Sequence, residues 1–451
     1  MKYREKIHRY VQEHRNSIIN TLTELIQTPS VRGKAENHAP FGKGCAQILK
    51  DVQTLYETNG FQTELNTDGG YLLSHFGNGT KSFGIFAHAD VMPVMDDWFF
   101  TSPFTPIEKD GFIIGRGASD DKSAIVISLY CAKILKELNI PFDAKLIMYT
   151  GTNEETGMND IFHYLKNYTP PDFSLVCDSA FPLCIGDKSG IQFFATSKTI
   201  LKDIVDFGGG IDINIITEKA YAKIGDKFFT ETGISKHAAL PEGSVNAGYL
   251  LSRKLSNMSE LSESDRLQMK FVAKLLEKFN GEIFDIVHTD TYFGDLTCSN
   301  GIIKTVNGKI TLGFDLRYPV GLNADELRKK ISQTFANNNW SVRFDDEKPG
   351  YIMDKKDKFV KTCLDTFEKF CDVKGPTPSY SAGPTYAREL PYAVETGTAL
   401  YKGVPKGTPI GHGNIHQSDE CININGLLDA IELITHMLIN CEKVINQRED
   451  I

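Results

Sequence analysis

Four short stretches of this 451-residue chain put histidine or carboxylate side chains directly after apolar runs. The first is Phe86-Ala87-His88-Ala89-Asp90, where a strand could aim an imidazole into a cleft and a carboxylate behind it, Asp90, could fix the ring. The second is Gly115-Arg116-Gly117-Ala118-Ser119-Asp120-Asp121-Lys122. It is not a phosphate-binding P-loop, because Asp121 stands where that loop needs glycine and two acids repel phosphate. Glycines that let the chain turn, followed by carboxylates, suit a cation better. The third is Asn153-Glu154-Glu155-Thr156-Gly157 after Leu146–Tyr149; one carboxylate could bind metal while its neighbour takes a proton from water. The fourth is Asp178, closing the run that ends in Val176-Cys177.

Taken singly, each has a plainer reading: a structural His–Asp contact, acids at the positive end of a helix, a solvated acidic face, a loop acid. Taken together, one histidine and several carboxylates on successive strand ends form a mixed nitrogen and oxygen ligand set. That set suits Zn²⁺, Mn²⁺ or Co²⁺ and not a thiolate site.

The elements that must position these residues follow from periodicity. A helix is predicted over Ile7–Leu25 and stopped by Pro29, and a second over Lys43–Asn59 ended by Gly60. Short apolar runs at 61–65, 71–76, 83–87, 145–150 and 173–177 alternate with helical patterns at 123–138 and 160–167. Such alternation predicts an α/β fold with a mostly parallel sheet flanked by helices, whose downstream edge is where ligands bind. After Asp187 the pattern changes. Asn307-Gly308 between two apolar runs signals a hairpin, and helices are expected after Asn323 and from about Asp357 to Phe370. This predicts an inserted α+β lid domain on an antiparallel sheet. The expected organisation is residues 1–187 for the catalytic domain, 188–377 for the lid and 378–451 for the return to the catalytic domain, ending in a helix at 425–444.

Formal net charge is -9, which disfavours nucleic acid as a partner. No apolar run is long enough to span a bilayer, and no export signal follows the charged N-terminus, so a cytoplasmic protein is expected. The nine cysteines contain no Cys-x-x-Cys pair and read as free thiols of a reducing compartment.

The order His88-x-Asp90, Gly115-Arg116-Gly117-x-x-Asp120-x-Lys122, Glu154-Glu155-x-Gly157 and a late His416 resembles the dinuclear metallopeptidases that include aminoacylases, glutamate carboxypeptidases and PepV-like bacterial dipeptidases. Phe314-Asp315-Leu316-Arg317-Tyr318-Pro319 and His416-Gln417-Ser418-Asp419-Glu420 look closest to the last of these. The resemblance implies two divalent metal ions, zinc first. His88 and Asp178 would hold one, Glu155 and His416 the other, and Asp120 would bridge them. Glu154 would be the general base toward a water between the metals, with Asp90 orienting His88. Asn214, His237 and Arg388 would bind substrate, His237 at the developing oxyanion and Arg388 at a carboxylate.

This sequence departs from the family where Ser123 follows Lys122, where Ile215-Ile216-Thr217 follows Asn214, and where Pro384 interrupts the run before Arg388. His412 competes with His416, but Gly411 and Gly413 place it on a loop. The reaction expected is hydrolysis of a dipeptide or similarly small peptide by a monomer. An N-acyl amino acid deacylase or desuccinylase would use the same machinery, and a non-catalytic metal binder is the remote alternative.

Overall fold

The computed structural model describes residues 2–445 except Ala382, and they divide into two compact units. The first contains the chain up to Gly186, Met353–Ser379 and the chain from Thr385 onward. Its sheet runs in the order Gln62–Asn66, Tyr71–Phe76, Lys145–Gly151, Ser82–His88, Phe173–Val176, Ala393–Glu395, Cys184–Asp187. The four strands from Lys145–Gly151 to Ala393–Glu395 are parallel, and antiparallel pairs flank them.

Register aligns His88 with Gly151 and Phe86 with Val176, so three downstream strand ends share one edge of the sheet. Ser82–His88 is buried along all but its first residue, as expected of a strand covered on both faces. Phe86 stacks on Tyr149 at 5.0 Å, while Phe83 meets Phe173 edge-on at 5.2 Å.

Two expectations are corrected here. The N-terminal helix is two helices, Arg4–Glu13 and Arg15–Gln27. At the joint, His14 leaves the helical range with φ -99° and ψ 6°, while its Nδ1 lies 2.8 Å from the Tyr10 carbonyl. The helix Lys358–Cys371, assigned by sequence to the inserted domain, belongs to the first unit. Its buried stripe of Phe359, Val360, Cys363 and Phe370 packs on the C-terminal helix Ile424–Ile445. Cys363 and Cys441 bring their sulfurs to 3.5 Å, and Asn440 donates to Thr366 at 3.0 Å. The second unit is therefore Asp187–Ile352 with Tyr380–Pro384.

That unit is an antiparallel sheet in the order Lys227–Thr232, Lys219–Ile224, Ile204–Gly209, Thr297–Val306, Lys309–Tyr318, Ser189–Ser197, Trp340–Phe344. The Asn307-Gly308 hairpin pairs Val306 with Lys309, and both turn residues have positive φ, 52° and 71°. Helices Ala247–Leu255, Glu263–Leu276 and Ala324–Asn337 share one core with the sheet, in which Leu251, Val272, Ile331, Phe193 and Leu312 meet. Asn323 caps the last helix by accepting the Asp325 N–H at 2.9 Å and the Glu326 N–H at 3.2 Å. All nine cysteines are free thiols, eight of them buried. No helix among the described residues is long and apolar enough to cross a membrane.

One buried group makes this packing pH-sensitive. His436 lies on the C-terminal helix with 3 % exposure, and burial, helped by the Arg4 charge, pushes its imidazole down to about 4. The folded form thus holds fewer protons than the unfolded chain between that value and the ordinary histidine value of about 6.5. Stability present above pH 6.5 is expected to fall as the pH drops toward 4, by about 2 kcal/mol at pH 5. Thermal melts at pH 7 and pH 5 should show a smaller acid shift in His436→Gln than in the unaltered protein.

Candidate metal centre

The three strand ends and one helix start of the first unit bring the proposed ligands together. His88 closes its strand, Glu154 and Glu155 lie on the turn after Lys145–Gly151, and Asp178 follows Phe173–Val176. Asp120 differs from expectation. It does not end a strand of the main sheet but leads into the helix Lys122–Glu137, after a strand, Phe112–Ile114, of a separate small sheet. The peptide between Asp120 and Asp121 is cis. His416 lies in a loop with φ 63°.

Asp120 sits in the middle. Its Oδ1 is 3.0 Å from His88 Nε2, and its Oδ2 is 2.9 Å from His416 Nε2. On the first side Asp178 Oδ2 is 3.7 Å from His88 Nε2; on the second, Glu155 Oε2 is 3.2 Å from His416 Nε2. His88, Asp120 and Glu155 can place ligand atoms within 4.8 Å of one another, and so can His88, Glu154 and Asp178. His412 instead bonds Asp419 through Nδ1 at 2.6 Å.

The environment fits cations. His88 Nε2, Glu154 Oε1 and Glu155 Oε1 are buried and have no hydrogen-bond partner among the described residues. His88 Nε2 therefore faces carboxylate oxygens without an aligned hydrogen bond to them. Burial and the Asp178 charge hold the Glu154 carboxyl well above its usual range, and burial with the Asp120 charge pushes Glu155 up to about 6. Burial works against the His88 imidazolium, but Asp120 and Asp90 outweigh it and hold that imidazole well above its ordinary value. Crowded acids raised in this way are what a bound dication relieves.

The support for these groups is only partly the one expected. His88 Nδ1 bonds the Asp90 backbone carbonyl at 2.9 Å, while the Asp90 carboxylate lies farther off, at 3.5 Å. That carboxylate accepts the backbone N–H groups of Glu154 and Glu155, each at 3.2 Å. Asp90 thus orients the ring with its carbonyl and the acidic turn with its side chain.

Glu420 is a residue that sequence reasoning did not single out, although it closes the motif that begins at His416. Its Oε1 accepts the N–H groups of Ser119 at 2.9 Å and Asp120 at 3.0 Å, and its Oε2 pairs with Arg116 at 2.7 Å. Both partners are almost fully buried. Asp121 likewise accepts the His88 N–H, at 3.2 Å.

The substrate residues of the sequence reading are divided between the units. Arg388 lies on the short turn Tyr386–Glu389 of the first. Asn214 and His237 are neighbours in the second, where Ile215 bridges His237 and the Asn214 carbonyl accepts the Ala238 N–H at 2.7 Å. His237 is exposed, and its Nδ1 accepts the Ala239 N–H at 3.2 Å.

A parallel sheet edge with one histidine and several carboxylates, joined by a loop histidine around a central aspartate, is the arrangement of a metal-dependent hydrolase. Comparison with known proteins gives the family. Residues 84–440 match the profile of Peptidase family M20/M25/M40, and the chain belongs to that family. It is 28 % identical over 474 residues to "Putative dipeptidase YtjP" of Bacillus subtilis (strain 168), covering 95 % of this chain and 98 % of the relative. Among solved structures it resembles human carnosine dipeptidase 1, with TM-score 0.64 and 14 % identity over 98 % of this chain and 99 % of the other. It also resembles the Bacillus subtilis YXEP protein, called a dinuclear metal binding peptidase, with TM-score 0.54 and 10 % identity over 96 % and 99 % of the two chains. These likenesses show the shared fold.

Removing the Glu420 charge should loosen the Asp120 turn without altering the identity of any proposed ligand. Glu420→Gln is expected to weaken divalent-metal binding by about 10–100-fold in a chelator competition. Unchanged affinity in a folded variant would show that Asp120 keeps its place without the pair.

Proposed function

We propose that the protein is a dipeptidase that depends on two divalent cations, with zinc the first choice and Mn²⁺ or Co²⁺ the alternatives. The observation that carries this reading is the Asp120 carboxylate, which offers one oxygen toward His88 and the other toward His416. One cation would be held by His88 and Asp178, the other by Glu155 and His416, with Asp120 spanning both. Bound there, the cations would supply Lewis acidity, making water acidic enough to deprotonate near neutral pH and polarising the scissile carbonyl.

Glu154 is the general base. Its Oε1 is buried and unpartnered, and a carboxylate raised by burial is a stronger proton acceptor than one in water. It takes the proton of the attacking water and delivers it to the leaving amine nitrogen. Arg388 grips the substrate carboxylate with parallel hydrogen bonds. His237, helped by Asn214, stabilises the oxyanion. A small peptide is the substrate, the net negative charge disfavours nucleic acid, and the nine free thiols suit the reducing cytoplasm.

Two measurements test the reading. Glu154→Gln should lower kcat by at least about 100-fold while elemental analysis still finds the metal content of the unaltered protein. Activity within a few-fold of that protein would remove Glu154 as the base. In a substrate panel, dipeptides with a free α-amino group should be cleaved at least about 10-fold better, by kcat/KM, than N-acetyl or N-succinyl amino acids. The reverse order would make the enzyme a deacylase.

A further inference from the structure

The turn that carries Arg388 is tied to the turn that carries Glu154 through a single carboxylate. Asp160 is fully buried at the start of the helix Asn159–Asn167. Its Oδ2 accepts the N–H of Thr152 at 2.7 Å and of Asn153 at 2.8 Å, the two residues leading into Glu154 and Glu155. The same oxygen accepts the hydroxyl of Tyr386 at 2.5 Å, from a residue 226 positions away. Oδ1 is occupied by the Ile161 N–H at 2.8 Å, which anchors the carboxylate to its own helix.

Tyr386 opens the short turn Tyr386–Glu389, and Arg388 is two residues on. Its ring is 1 % exposed and meets Tyr149 edge-on, at 5.4 Å and 85°. The Thr385 side chain fixes the start of the turn by accepting the Ala387 N–H at 3.1 Å. The junction has no spare room. A Cβ on Gly151 would lie 2.0 Å from the Tyr386 hydroxyl oxygen and 2.3 Å from Asp160 Oδ2, so only glycine fits at the strand end.

We propose that Asp160 and Tyr386 are positioning residues that set the separation between the general base and the substrate-gripping arginine, and so select peptides whose free carboxylate lies one residue beyond the scissile bond. This rests on the reading of Arg388 as the carboxylate-binding group. Neither side chain is placed against substrate or cation. The carboxylate fixes the backbone on one side, the phenol fixes it on the other, and the hydrogen bond between them transmits the spacing. A guanidinium displaced by about 1 Å loses the paired hydrogen bonds that a carboxylate needs, so the free acid is bound less tightly while its amide is little affected.

The test compares a dipeptide, its C-terminal amide and the tripeptide extended by one residue, using the metal-loaded full chain. In Tyr386→Phe the ring and its packing remain, and only the hydroxyl is lost. KM for the dipeptide should rise about 10-fold more than KM for the amide, and the preference for dipeptide over tripeptide should narrow by a similar factor. Metal content should not change. Asp160→Asn, which keeps one acceptor oxygen, should show the same pattern.

Equal losses on acid and amide, a loss in kcat alone, or no loss in a folded variant would each overturn the proposal. Arg388→Ala serves as the reference. If it does not abolish the acid-over-amide preference, the assignment of Arg388 fails. If it does while Tyr386→Phe and Asp160→Asn leave the preference intact, the positioning role fails and the arginine assignment stands.

Discussion

The rest of the structure depends on holding mutually repelling acids in one place. Asp120, Glu154, Glu155 and Asp178 face one another around two imidazoles, with Asp90 and Asp121 just behind, and most of them are buried. Burying an ionised carboxylate without compensation costs several kcal/mol, and like charges side by side add to it. The fold cannot remove this cost, but it can confine it. The sheet supplies a rigid edge, and Asp120, Glu154 and Glu155 are pinned through their backbone N–H groups by other carboxylates rather than left to find their own arrangement. The arrangement is stable when positive charge enters, so the scaffold favours the cation-loaded form over the free one.

The pinning follows a pattern. The Asp90 side chain holds the N–H groups of Glu154 and Glu155, Glu420 holds those of Ser119 and Asp120, Asp121 holds that of His88, and Asp160 holds those of Thr152 and Asn153. In each case a buried carboxylate accepts main-chain donors from the strand end or turn that bears or leads into a reactive side chain. A carboxylate is a stronger acceptor for a main-chain N–H than a neutral oxygen is. These bonds hold the backbone without using the reactive atoms, and Glu154 Oε1 and His88 Nε2 remain open.

Much of this is legible in the sequence, for identifiable reasons. The strands Ser82–His88, Lys145–Gly151 and Phe173–Val176 announce themselves as unbroken apolar runs because both their faces are covered, and the acids that end them stand out by contrast. The Asn307-Gly308 hairpin and the Asn323 cap are local chemistry and need no tertiary knowledge. What escapes is long-range. Glu420 meets Arg116 304 positions away, and Tyr386 meets Asp160 across 226, with nothing local to advertise either pairing. The helix Lys358–Cys371 has a clear amphipathic stripe, but the stripe does not say which unit will cover it. Asp90 shows the same limit at atomic scale. Its spacing from His88 is readable, but whether the carbonyl or the carboxylate meets the ring is decided by where the Glu154 turn comes to rest.

The first unit is discontinuous, and His416 and Glu420 arrive on its last stretch, after the whole second unit has been threaded through. Synthesis proceeds from the N-terminus, so a ribosome displaying the first 400 residues carries a chain that lacks one imidazole of the cluster and the partner of Arg116. The cluster around Asp120 therefore closes only once this last stretch has joined the first unit. On the proposed ligand set, a fragment cut upstream of position 416 would lack one cation-holding imidazole and the acid that pairs with Arg116.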